Sequence, residues 1–160
     1  MRKACRWGVS AFLAVLLLVG ARAFAQRADS KSIEEAVLAV SAEMTKAGEA
    51  ADADRLFSYL LETDKGSVIQ NGVFMATRRE ALERVRTNLG RVGKIAYRWK
   101  RQDVTVLSPE VALLTAEGET TATTTAGDTF TVPLAQTIVF VRKDGQWKAI
   151  HAHQSSPPQR

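Results

Sequence analysis

The chain's only two histidines stand two residues apart, at His151 and His153. In an extended segment positions i and i+2 share a face, so both rings are expected to point the same way, together with Trp147, Ala149 and Ser155. Imidazole titrates near neutral pH, so either ring can serve as a pocket base or proton shuttle, with His153 or His151 as the catalytic candidate. Two other readings stay open. A metal site needs a third ligand, yet the segment itself holds no carboxylate, and the nearest acid, Asp144, belongs to a turn. A hydrogen-bonded pair can instead stabilise the strand or a subunit interface. Neither a metal nor a cofactor is expected.

Other residues fit a ligand-contacting role. Tyr97 and Trp99 alternate with Arg98 and Lys100, which places two aromatic rings on one face for a pocket wall or for core packing. Tyr59 offers one polar tip on a helix, either closing a core contact or reaching a cavity. Gln70 and Asn71 can orient a ligand by hydrogen bonds but cannot abstract a proton. Glu117 and Glu119 share a strand face; paired carboxylates do acid–base work only inside an enclosing pocket and otherwise read as a solvated face. Arg78-Arg79 and Arg98-Trp99-Lys100-Arg101 read as surface charge. The sequence contains no Gly-rich phosphate loop, no G-x-S-x-G and no H-E-x-x-H.

The elements that position these residues follow from periodicity. Ser32-Ile33-Glu34-Glu35 reads as a capping box. Ile33, Ala36, Val37, Val40, Met44 and Ala47 then form one helical stripe, with Gly48 as the stop. Asp52 or Asp54 caps a shorter helix running to Leu61, which Asp64-Lys65-Gly66 ends. Ser67–Gln70 reads as a strand, and Asn71-Gly72 is a turn signal. Thr77-Arg78-Arg79-Glu80 is a second capping box. Leu82, Val85, Leu89 and Val92 predict a third helix, closed by Gly93. From Lys94 the period becomes two, giving four long strands, with turns at Ser108-Pro109-Glu110, Ala126-Gly127-Asp128 and Asp144-Gly145. The Thr-rich run after Glu119 suits an edge or half-exposed strand, and Pro133 requires an edge or a bulge. Helices followed by an antiparallel meander make an α+β fold, with the sheet curved around three N-terminal helices.

The 160 residues carry a net charge of +5, and four of the cations (Arg2, Lys3, Arg6 and Arg22) lie in the first 25, which hold no acid. A basic start, the apolar run Val9–Val19 and Ala23-Phe24-Ala25 describe a secretory signal peptide, residues 1–25, cleaved before Gln26. The run spans about half of the ~20 residues a membrane-crossing helix needs. Cleavage removes the single Cys5, and with it any disulfide, thiol nucleophile or thiolate metal site. Residues 26–31 read as a loose lead-in, 32–156 as one domain and 157–160 as a tail. The expectation is a secreted or periplasmic protein, with no nucleic-acid partner and no membrane contact after cleavage.

Three stretches resemble a known superfamily. EAADADRLFSYL is similar to the acidic start of the second helix of SnoaL-like, nuclear-transport-factor-2-like domains. NGVFMATRREALERV resembles their strand, loop and third helix. DGQWKAIHAHQSSPP, with a Trp, His-x-His-x-Ser and a Pro, resembles their last strand and that of the calcium/calmodulin-dependent kinase II association domain. The resemblance implies a cone-shaped α+β fold, a homodimer formed through the sheet and an interior pocket for a small, largely apolar ligand. The ligand would contact Tyr59, Gln70, Tyr97, Trp99, His151 and His153. It also leaves open a lyase, isomerase or hydrolase using His153 or His151 as general base, and a pure oligomerisation module. Set against steroid isomerases of this fold, Val68-Ile69-Gln70-Asn71-Gly72 places an amide where the carboxylate base belongs, and the first helix lacks a Tyr.

Overall fold

A computed structural model describes residues 8–157 apart from 63, 64 and 66, with side chains from residue 29 onward, Ser67 aside. The basic start of the expected signal peptide, the Asp64 and Gly66 turn residues and the last three residues of the expected tail lie outside this range. The elements are α1 (Gly8–Glu49), α2 (Ala53–Ser58), β1 (Ser67–Gln70), β2 (Val73–Met75), α3 (Arg78–Leu89), β3 (Val92–Ser108), β4 (Val111–Thr124), β5 (Thr129–Lys143) and β6 (Gln146–Ser155). No helix among the described residues is long and apolar enough to cross a membrane.

The stripe on α1 is where the spacing places it. Val37, Ser41, Met44 and Ala47 are buried. The helix runs without a break through Ser32, so the first capping box caps nothing, and residues 26–31 are helical rather than a lead-in loop. Neither Pro nor Gly interrupts residues 21–47, and Ala, Arg, Gln and Glu are strong helix formers. The stop comes just beyond Gly48, where Ala51 takes the left-handed conformation (φ 53°). Asp52 then caps α2, accepting from the Arg55 amide at 2.9 Å. Thr77 and Glu80 form the reciprocal box of α3. That helix ends at Leu89 rather than past Val92: Val92 pairs with Thr124, and the sheet ladder takes the residues another helical turn would have used.

The sheet has six strands in the order β2-β1-β6-β5-β4-β3. Two of its hairpins are closed by two-residue turns in which both residues have positive φ. Asn71 (φ 50°) and Gly72 (φ 79°) join β1 to β2, and Asp144 (φ 51°) and Gly145 (φ 76°) join β5 to β6. Positive φ at both central residues is the geometry whose twist matches the flanking strands. The expected wholly antiparallel sheet is in fact mixed, because β1 runs parallel to β6. No turn links these two strands, so packing alone sets their relative direction. The Thr-rich run lies on β4, an interior strand, half-exposed but not at an edge. Its outward hydroxyls pair across the hairpin, Thr121 with Thr131 at 2.8 Å and Thr123 with Thr129 at 2.9 Å. Pro133 faces Glu119 on one side, while the pairing of β6 with β5 begins only at Ala135, so its missing N–H falls at a local edge.

One face of the sheet packs on α1. Ala112, Leu114, Ile138, Phe140, Trp147, Ala149 and Ala152 form the main core with Val37 and Met44. A smaller cluster of Phe57, Met75 and Ala81 seats α3 against α2 and β2. Register shifts interrupt β3 opposite β4 and β6 opposite β5. Each such bulge sharpens twist and bends its strand, which curves the sheet over the helices.

Candidate functional site

Between α1, α2 and the inner face of the sheet lies a hollow of about 80 Å³. From α1 it takes Ser41, Met44, Thr45 and Gly48, and from α2 and the segment after it Leu56, Phe57 and Leu60. The sheet adds Val68, Tyr97, Trp99, Gln136, Ile138, Ala152 and Gln154. Among the described residues the lining contains no Asp, Glu, His, Lys or Arg.

The aromatic wall is held from several directions. Tyr97 and Trp99, two apart on β3, stack with ring centres 6.0 Å apart and planes within 6°. Trp99 donates its indole N–H to Thr45 Oγ1 at 3.1 Å, and Thr45 donates to the Ser41 carbonyl at 3.0 Å. The Tyr97 ring lies flush on α1: a Cβ on Gly48 would stand 3.1 Å from Tyr97 Cε2. The Tyr97 amide donates to Glu49 Oε1 at 3.0 Å. Burial, and secondarily the Glu49 charge, push the Tyr97 hydroxyl above its ordinary pKa, so it stays protonated at neutral pH. The opposite wall carries amides. Gln154 donates to Gln136 Oε1 at 3.0 Å, and Gln70 donates to Gln154 Oε1 at 3.2 Å.

Tyr97 and Trp99 therefore stand in the hollow, while Gln70 sits one strand outside it, bonded to a residue that lines it. Tyr59 does not line it. Its ring packs beside the core and lies under Lys148 Nζ, 5.8 Å from the ring centre. His151 and His153 share a face with each other as expected, but not with Trp147 and Ala149. Phe140 pairs with Ala149 and Val139 with His151, so Ile150 is an extra residue on β6. A one-residue insertion flips every later side chain, because the pleat repeats every two. Ala152 and Gln154 consequently turn inward, while His151 is half-buried and His153 exposed on the outer face, in register with Val139 and Thr137.

Glu117 and Glu119 also lie on the outer face. Lys100, and then Arg98, hold the Glu119 carboxyl below the usual carboxylate range. That is opposite to the upward shift a general acid needs. No group of three or more metal-ligating side chains occurs among the described residues. Of the basic clusters, Arg78 is not mere surface charge. It donates through two nitrogens to the Phe57 carbonyl, at 3.1 and 2.8 Å, and its guanidinium lies 6.0 Å over the Phe57 ring.

Ser41, Thr45, Gln136 and Gln154 are site residues absent from the sequence reading. Ser41 and Thr45 interrupt the buried stripe of α1, and Gln136 interrupts the alternating run Phe130, Val132, Leu134, Ile138, Phe140. A polar residue on an apolar face is the available signal. Gln154 carries none, because the bulge at Ile150 hides its phase.

Comparison with known proteins agrees with this geometry. The SnoaL-like domain family matches residues 37–159. No curated protein matches the sequence. A nuclear transport factor 2-like superfamily protein of Salmonella enterica serovar Typhimurium superposes with a TM-score of 0.69 at 17% identity, covering 84% of this chain and 94% of that one. A ketosteroid isomerase-like protein of Erwinia carotovora atroseptica gives 0.66 at 20%, covering 78% and 96%. A Xanthomonas campestris structure provisionally designated a calcium/calmodulin-dependent protein kinase II association domain gives 0.67 at 19%, covering 78% and 87%. At such identities the likeness is one of fold: a cone-type α+β domain with a mixed, unclosed sheet. By its family match over most of its length, the chain belongs to the SnoaL-like domain family.

Proposed function

We propose that this is an exported, homodimeric SnoaL-like protein whose hollow binds a compact, largely apolar, uncharged molecule without transforming it. The observation that carries the reading is the chemistry of the lining: apolar side chains, three aromatics and a few neutral hydrogen-bonding groups. Apolar walls with sparse polar groups favour ligand burial. The one titratable lining residue, Tyr97, keeps its proton at neutral pH. A lyase, isomerase or hydrolase with His151 or His153 as general base draws no support from the geometry, since both lie across the sheet from the hollow. The experiment is native mass spectrometry of protein purified from its own compartment, which reads subunit count and retained molecule together. A retained neutral compound of low mass supports the reading. Protein that comes out empty and remains unaffected by any small neutral compound refutes it.

For the homodimer, the outer sheet face is the supporting surface. Leu113 and Val139 are adjacent and only half-buried there, and Phe74, 64% exposed, sits in register with Ile69 and His153. Neither nucleic acid nor membrane is a proposed partner. For export, support comes from the basic start, short apolar run and Ala-x-Ala of residues 1–25. A second reading, a pure association module, is favoured by one number. The hollow's 80 Å³ is well below the ~300 Å³ at which drug-sized sites begin.

A further inference from the structure

One rung of the inner face carries four glutamines across five strands. Gln70 pairs with Gln154, Gln154 with Gln136, Gln136 with Ala116, and Ala116 with Gln102. Opposed side chains in such a rung lie ~5 Å apart, within reach of amide hydrogen bonds. Two form in series: Gln70 Nε2 donates to Gln154 Oε1 at 3.2 Å, and Gln154 Nε2 donates to Gln136 Oε1 at 3.0 Å. Ala116 breaks the run, and Gln102 donates instead to Ser41 Oγ at 3.1 Å. Gln136 thus ends the series. It is 7% exposed, lines the hollow, and its Nε2 donates to no protein group among the described residues.

A primary amide is both donor and acceptor. Half-turns of all three amides together preserve both hydrogen bonds with donor and acceptor exchanged, and convert the end facing the hollow from N–H to C=O. Half-buried Gln70, outside the hollow, loses nothing either way, because its outer group can reach solvent. Which group the hollow presents is therefore set by the series as a unit.

Resting on the reading that the hollow binds a ligand, we propose that this rung makes it a site for a compact neutral molecule with one hydroxyl or carbonyl group, and that Gln70, a positioning residue, sets through Gln154 which of the two is preferred. The volume supports a small occupant: 80 Å³ is well below the ~300 Å³ of a drug-sized site. A carboxylate is disfavoured, because the lining offers no cation to offset its desolvation.

The test is a titration of the ¹⁵N-labelled full chain with 2-butanol, 2-butanone and butyrate, following backbone and glutamine side-chain amide resonances. The wild-type protein should bind the two neutral probes within about threefold of each other, and butyrate at least tenfold more weakly. Gln70→Glu introduces an ionised group that can only accept. Gln154 must then donate to it and Gln136 must donate to Gln154, leaving a carbonyl facing the hollow. 2-Butanol, a donor, should bind as before and 2-butanone at least tenfold more weakly; Gln136→Leu should weaken both. A check on the wild type needs no variant: 2-butanone should shift the Gln70 side-chain amide, although Gln70 lies outside the hollow. If the neutral probes shift Val68 and Ala152 but the Gln70→Glu ratio stays within twofold of wild type, or the Gln70 amide does not move, the relay is overturned and the cavity reading stands. If no probe shifts any lining residue, the cavity reading falls and the relay falls with it.

Discussion

Three glycines probe how closely the sheet and helix are packed, and they should respond to alanine in a fixed order. Gly118 on β4 faces Trp99, beside the bulge that makes Lys100 an extra residue on β3. A Cβ there would stand 2.5 Å from Arg98 O, 3.0 Å from Trp99 Cα and 3.1 Å from Arg98 C, all backbone atoms, where ordinary contact begins at 3.4 Å. Relief requires β3 to move by ~1 Å or to release ladder hydrogen bonds; overpacking of this kind costs about 1–3 kcal/mol, and each lost hydrogen bond adds ~1 kcal/mol. The entropy an alanine removes from the unfolded chain offsets only about 0.4–1 kcal/mol. Gly118→Ala should therefore destabilise by about 2–3 kcal/mol. Gly48→Ala meets a side chain at 3.1 Å, which can give, and it gains about 0.8–1.0 kcal/mol of helix propensity, so its net effect should lie within ~1 kcal/mol of zero. It should also displace Tyr97 and alter Trp99 fluorescence. Gly93→Ala meets backbone at 3.6 Å, ordinary contact, and should be neutral or stabilising by up to about 0.5 kcal/mol. Urea unfolding followed by far-ultraviolet circular dichroism measures all three, with stability read from the midpoint at unchanged slope. A Gly118→Ala protein within about 0.5 kcal/mol of wild type, or Gly93→Ala costing as much as Gly118→Ala, would refute the packing argument.

Alkaline pH should unfold the protein partly through Tyr97. Its folded pKa is raised, so above pH ~10 the unfolded chain has lost a proton that the native state keeps, and stability falls as pH rises toward the folded value. Tyr97→Phe should flatten that limb, and absorbance titration of the variant should lack the late-titrating component. Arg78→Lys cannot reproduce the two-nitrogen grip on the Phe57 carbonyl and should cost about 1–2 kcal/mol in denaturant unfolding. His153→Ala should leave the binding of neutral probes in the hollow unchanged in a fluorescence titration; a loss of tenfold or more would return the outer-face histidines to the site.

What the sequence discloses divides by the range of the interaction that decides it. The Thr77–Glu80 capping box, the two turns with paired positive φ and the alternation of β3 through β5 are settled by neighbours a few residues away, and each stands in the structure where its local signal places it. The parallel pairing of β1 with β6 and the arrival of Gln70 beside Gln154 join residues 84 positions apart and have no local signature. The histidines fall between these cases. Their shared face is local and was legible, but which face it is depends on a single unpaired residue, Ile150, and alternation alone does not reveal a bulge. That one residue carries His151 and His153 out of the hollow and brings Ala152 and Gln154 in. Deleting Ile150 should leave that placement intact: with the extra residue gone, Ala149, His151 and Ala152 still meet Phe140, Val139 and Ile138 in plain alternation, so Ala152 and Gln154 stay inside and the histidines outside. A deletion variant that folds should bind 2-butanone with the same flat pH dependence as the wild type. Binding that becomes dependent on pH between about 6 and 7 would show that imidazoles had entered the lining, and would refute the reading of Ile150 as the extra residue.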